Sequence, residues 1–205
     1  MKTPKNTDTS TFKEPQESIR QVILEKAFLR FGRYGFGKTT MAEIAKDCEM
    51  SPGNLYRYFK SKKDICADCA SRVLQQRLEL VQKIINNKNL NPDEKLKVSV
   101  LEVLNYMHYH FSEQPALMEL VDFISRERWA IVQKYMEQEK LLISEILFQG
   151  NSSGDFNIPD VLETSKWIQA ALIKFFSPRY MDAFKLEELR REAEGVVNTL
   201  IRGLK

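Results

Sequence analysis

The chain is poor in several things, and each scarcity removes a class of protein. Its 205 residues hold three cysteines, Cys48, Cys66 and Cys69. A low, odd count argues against a secreted disulfide scaffold. No apolar run approaches the ~18 residues that a membrane span needs, so no membrane partner is expected. The N-terminal stretch MKTPKNTDTSTFKEP lacks the apolar core of a signal peptide. It reads as a flexible tail over residues 1–14, and cytoplasmic residence is the default expectation. Glycine (8) and proline (7) are few, and alternating apolar runs bounded by turn pairs are nearly absent, which disfavours a β architecture. There is no nucleophile motif and no phosphate-cradling glycine loop, so neither catalysis nor a cofactor is expected.

What is present is helical periodicity and an uneven charge. Residues 1–72 carry 14 Lys+Arg against 9 Asp+Glu, while residues 73–205 carry 17 against 19. The basic excess sits in the first third and points that third toward a polyanion.

The pattern predicts an all-α fold of about nine helices. The first spans 15–34, with Leu24, Ala27, Phe28 and Phe31 on one face, and Gly35 and Gly37 stop it. The second is short and ends near Glu49; Thr40 and Glu43 have capping-box spacing at its start. Ser51 followed by Pro52 starts a third helix that reaches about Phe59. Ser61 caps a fourth, reaching about Asn86, and an Asn-rich break follows. Five more are expected: 92–111, a short one after Pro115, 125–148 ended by the loop at 150–155, 159–176, and 186–202. The organisation is then a tail over 1–14, a small helical domain over 15–60, and a larger one over 61–205.

One stretch carries chemistry. SPGNLYRYFKSKKD, residues 51–64, has no acid before Asp64. At 100° per residue, Leu55 and Phe59 share one face of the third helix and Gly53 and Arg57 the opposite one, flanked by Asn54, Tyr56 and Tyr58. Two short helices joined by a tight turn, the second with a polar outer face, give helix-turn-helix geometry. Gly53 lets backbone come close to a groove. Asn54 and Arg57 reach base edges. Tyr56, Tyr58, Lys60, Lys62 and Lys63 suit phosphates, and Thr39 and Thr40 lie at the other helix start. The bland alternative is a solvated basic turn with core tyrosines; the capping signals and the outward face favour the groove reading.

Residues 31–65, FGRYGFGKTTMAEIAKDCEMSPGNLYRYFKSKKDI, resemble the DNA-binding region of the tetracycline-repressor (TetR) family of transcriptional regulators. The match consists of a glycine after the first helix, a T-T-x-x-x-I-A start to the second, S-x-G-x-L-Y-x-Y-F for the third, and the lysine-rich lead into the fourth. It covers about residues 15–70; beyond it only helix count and length agree. The resemblance implies a homodimeric repressor on a palindromic double-stranded DNA operator, released by a small-molecule effector in the larger domain. It also implies dimerisation through the last two long helices. Thr39, Thr40, Ser51, Gly53, Asn54, Tyr56, Tyr58 and Lys62 match positions that touch DNA in the family. Cys48 departs from the usual small or aliphatic residue, which a buried thiol tolerates.

Other features leave alternatives open. Ile168, Ala171, Leu172 and Phe175, then Leu189, Ala193, Val196, Val197 and Leu200, form two apolar stripes, expected at the dimer interface or else packed within one subunit. Tyr106, His108, His110, Phe123, Trp129 and Trp167 are weak candidates for a pocket taking an apolar or aromatic effector. His108 and His110 lie about 200° apart on a helix, so they do not share a metal. Cys66 and Cys69 share a helix face; a redox- or metal-responsive regulator is one rival reading, small core residues the bland one. A second rival is a helical small-molecule-binding protein without DNA function.

Overall fold

The computed structural model describes residues 13–205, with side chains from residue 18 onward. The expected tail falls outside the described residues up to residue 12, and residues 13 and 14 are already helical. Among the described residues the fold is all-α. The helices are α1 (Lys13–Tyr34), α2 (Met41–Asp47), α3 (Pro52–Tyr58), α4 (Lys62–Ile85), α5 (Pro92–Phe111), α6 (Met118–Glu127), α7 (Trp129–Ser153), α8 (Val161–Ala171), α9 (Ile173–Phe176) and α10 (Leu186–Leu204). Short 3-10 turns at Pro115–Leu117 and Pro178–Tyr180 precede α6 and follow α9. No described helix is long and apolar enough to cross a membrane.

The caps read from sequence act as expected. Thr40 and Glu43 form the full capping box of α2, each satisfying a backbone amide of the other. Ser51 accepts from the Asn54 amide at α3, and Ser61 from the Asp64 amide at α4. Asn91 and Glu94 form a second capping box at α5, a pair the sequence reading did not single out.

Three elements differ; one is the helix expected over 159–176, which is interrupted at Leu172 (φ −94°, ψ 0°) between α8 and α9. The helix expected over 125–148 is cut at Arg128, whose backbone (φ −137°, ψ 33°) leaves the helical region between α6 and α7. No glycine, proline or cap residue marks that break; the turn lets α6 and α7 pack on different neighbours. At its other end α7 runs through Gly150 to Ser153. A Cβ at Gly150 would lie 2.0 Å from the Phe156 ring. That glycine therefore makes room for the returning chain, and the left-handed stop is Gly154, at φ 81°.

α1, α2 and α3 form a small unit packed on the first turns of α4. Ile23, Ala27, Phe31, Ile44, Leu55, Phe59 and Ile65 are its buried centre. α4 then continues into the larger bundle, where it meets α5, α6 and α7. α8 packs on α7 and α10 on α5.

Candidate DNA-binding surface and effector cavity

α3 is fixed from beneath. Leu55 and Phe59 are both buried, as the periodicity requires. Arg20 on α1 lies over the Phe59 ring at 4.2 Å, donates to the Tyr58 carbonyl at 2.7 Å and pairs with Asp68 on α4 at 2.5 Å. α2 is tied to α1 by Arg30, which pairs with Asp47 and lies 3.3 Å from Glu43. Those bonds hold the Asp47 and Glu43 carboxyls below their ordinary pKa; for Asp47 the Arg30 hydrogen bond leads, for Glu43 the Thr40 hydroxyl. The turn between α2 and α3 passes through Glu49 at φ 55°, a left-handed conformation for a residue with a side chain. Such a residue costs about 1–2 kcal/mol, repaid here by a tight turn.

The outer face of α3 is open. Gly53, Tyr56 and Arg57 are exposed and Asn54 partly so. Nothing lies within 4 Å of a Cβ built on Gly53, so its small size serves no contact inside the protein. Thr40, Ser51 and Lys60 are exposed beside them, and Tyr58 is half-buried against the core.

Three residues expected at DNA have other work in the free protein. Thr39 is 1% exposed, and its hydroxyl donates to the Gly35 carbonyl at 2.8 Å. Lys62 turns inward. Its ammonium donates to the carbonyls of Phe36 (2.5 Å), Gly37 (3.2 Å) and Thr39 (2.6 Å). All three of its hydrogens are engaged, and burial lowers its pKa. In the free protein Lys62 therefore supports the α1–α2 loop. Lys63 pairs with Glu127 of α6 at 2.5 Å. Both ends are solvent-exposed, where such pairs are weak.

The same loop rests on α6. The Gly37 amide donates to Glu119 at 2.6 Å, and Phe36 stacks on Phe123 with centroids 4.9 Å apart. Turned the other way, Leu120, Val121, Ile124 and Ser125 of α6 line a cavity of about 300 Å³. Phe28, Leu74, Met107, Phe111, Trp129, Val132, Met136, Ile173 and Phe176 supply further apolar wall, and Arg77, Tyr135, Glu139 and Gln169 a polar patch. Its size lies at the lower end of small-molecule sites.

Of the six pocket candidates only Trp129 lines this cavity. Phe123 serves the α6 interface with the loop. Tyr106 donates to Gln76 at 2.9 Å, and His110 packs among Phe28, Tyr106 and Tyr109. His108 is not among the lining residues, and Trp167 stands 63% exposed on the outside of α8. The polar lining was missed because Arg77 and Glu139 look like ordinary helix-surface charges in sequence; only the crossing of α4 with α7 encloses them.

The residues expected at the dimer interface are mostly buried within the protomer. Ile168, Leu172, Phe175, Leu189, Ala193 and Val197 are each at most 2% exposed within one protomer. These six side chains are packed into the protomer's own core and leave little surface for a partner. Val196 and Leu200 are partly buried at its edge.

The two cysteines of α4 lie in the core, where neither is poised as a reactive thiol. Cys66 and Cys69 are buried, and Cys69 donates to the Leu24 carbonyl at 3.5 Å. Burial pushes the Cys66 thiol up to about 12 and Cys69 further, so neither supplies a thiolate near neutrality. Among the described residues no group of three or more His, Cys, Asp or Glu could hold a metal.

Residues 23–69 match the model of bacterial regulatory proteins of the tetR family. Residues 92–197 match the tetracyclin repressor-like C-terminal domain, which is half of the chain. The chain belongs to the TetR family. It is a sequence-specific DNA-binding transcriptional regulator, and no enzyme.

Among relatives of this TetR-family regulator is the HTH-type transcriptional regulator SAR2658 of Staphylococcus aureus. The two are 26% identical over 183 residues, covering 89% of this chain and 90% of the relative. A transcriptional regulator from Cytophaga hutchinsonii has a similar structure, with TM-score 0.71 and 22% identity over 90% of this chain and 97% of the other. SmeT, the repressor of the Stenotrophomonas maltophilia multidrug efflux pump SmeDEF, is similar as well. In its complex with triclosan the TM-score is 0.67 at 17% identity, covering 92% of each chain.

Proposed function

We propose that the protein is a homodimeric repressor whose hold on a palindromic operator is released by a small molecule in the α4–α7 cavity. One observation carries this reading: α6 is shared. Its Leu120, Val121 and Ile124 are cavity wall, and its Glu119, Phe123 and Glu127 hold the α1–α2 loop and the start of α4. A ligand that moves α6 therefore changes the footing of α3. It acts only to the extent that it binds the DNA-incompetent arrangement more tightly. SmeT, a repressor found in complex with triclosan, supports the reading by likeness of fold.

The two-fold partner meets surface that the core leaves free. Leu162 and Trp167 on α8 are large, apolar and exposed. On α10, Gly195 and Gly203 have nothing within 4 Å of a built Cβ. A glycine within a helix costs ~1 kcal/mol relative to alanine, and nothing inside the protomer repays that. Close approach of a partner helix beside Val196 and Leu200 would.

Selection from a random duplex library with purified protein at about 0.1 M salt tests the reading, since base contacts then compete with phosphate attraction. The expected result is a palindrome with half-sites about one helical turn or a multiple apart. Salt-sensitive binding without an enriched sequence would overturn it. On that operator, Arg57→Ala should cost roughly 1–3 kcal/mol and relax one position per half-site. Uniform weakening across all sequences would make Arg57 a phosphate contact instead.

A further inference from the structure

The polar patch of the cavity is unbalanced. Glu139 is well partnered: it accepts from Tyr135 Oη at 2.7 Å, from Gln169 Nε2 at 2.7 Å and from Arg77 at 3.3 Å. Arg77 is not. Its side chain is 4% exposed, and of its five N–H donors only two find partners, both long: Glu139 at 3.3 Å and the Phe176 carbonyl at 3.4 Å. Its Nε is buried with no partner. The guanidinium carbon lies over two aromatic rings, 4.7 Å from the centre of Tyr135 and 5.4 Å from that of Phe176. So the surplus at this wall is of donors, while the charges of Arg77 and Glu139 cancel; Arg179, at the cavity's edge, is exposed and paired with Asp122 at 2.6 Å.

Those two facts select a ligand class. A donor surplus calls for an acceptor oxygen on the ligand, since an unpartnered buried donor is costly and each bond to a charged group is worth more than a neutral one. Charge balance calls for a neutral ligand, since a carboxylate or an ammonium would enter as an uncompensated charge in an apolar chamber. We infer that the effector is a neutral, mostly apolar molecule with one exposed acceptor oxygen, such as a ketone, ester or amide, that accepts from Arg77. This rests on the cavity being the effector site.

A matched set of phenyl-butyl compounds tests the inference by titration calorimetry on the full-length protein: butylbenzene, 4-phenyl-2-butanone, 4-phenylbutyrate and 4-phenylbutylamine. The ketone is expected to bind at least about tenfold more tightly than each of the others, the weight of one bond to a charged donor. Arg77→Lys keeps the charge and loses the planar fork, and should shrink that preference. The double variant R77M/E139L replaces the buried pair with apolar side chains, a change that such sites often tolerate. In that variant the ratio of ketone to butylbenzene affinity should fall to about one. Equal binding of ketone and hydrocarbon, or preference for the carboxylate or the amine, would overturn the inference and leave the cavity as the effector site. Binding of none of the four would overturn the cavity itself.

Discussion

At the scale of single residues, two lysines two positions apart have opposite fates. Lys60 is exposed, whereas Lys62 spends its ammonium on three carbonyls. Lys60→Ala should lower the salt dependence of operator binding by about one unit per half-site. Lys62→Ala should leave that slope unchanged and lower the thermal midpoint instead. A reduced slope in Lys62→Ala would return it to the phosphates. His110 gives a second prediction. Burial lowers its pKa, among the rings of Phe28, Tyr106 and Tyr109. The unfolded imidazole titrates near 6.5, so the unfolded chain takes up the proton first. The stability tied to neutral His110 is fully present above about pH 6.5 and declines as pH falls toward the lower folded value. His110→Gln should flatten the fall in thermal midpoint below about pH 6.5; an unchanged slope would place the proton uptake elsewhere.

At the scale of elements, α4 and α6 join the reading surface to the cavity by different means. α4 is continuous: Lys62 and Arg77 lie on one helix, about 22 Å apart along its axis. α6 is a short piece with two faces, ended at Arg128 without a cap. The contact that transmits its position is small, a Glu119 bond to one amide and one aromatic stack. Glu119→Ala should leave operator affinity within a few-fold of the parent and blunt ligand-induced release. Anisotropy of a labelled operator, titrated with ligand, reads both quantities. An undiminished response would shift the coupling to α4.

At the scale of the whole molecule, the interior of the protomer is complete without a partner. Disrupting the dimer therefore requires a residue outside that core, and Trp167→Glu is suited because the side chain is already exposed. The variant should keep its helicity and thermal transition, sediment as a monomer, and lose palindrome binding. A dimer of unchanged stability would move the interface off α8. Leu200→Asp is less clean, since Leu200 also packs against the core and its loss would confound unfolding with dissociation.

The sequence by itself determined what local chemistry decides. Caps at Thr40, Ser51 and Ser61, the alternation of Leu55 and Phe59 against Gly53 and Arg57, and the acid-free run before Asp64 depend on neighbours a few positions away. They gave the helices, the helix-turn-helix and its outer face. Tertiary structure decided everything that depends on what a helix face meets. An apolar stripe announces burial without naming its partner, so Ile168 and Leu189 read equally well as dimer or core. Lys62 and Thr39 carry phosphate-binding chemistry, but a carbonyl-rich loop nearby claims it first. Arg77 and Glu139 are 62 positions apart, and only the packing of α4 on α7 turns two surface-like charges into the polar wall of a cavity.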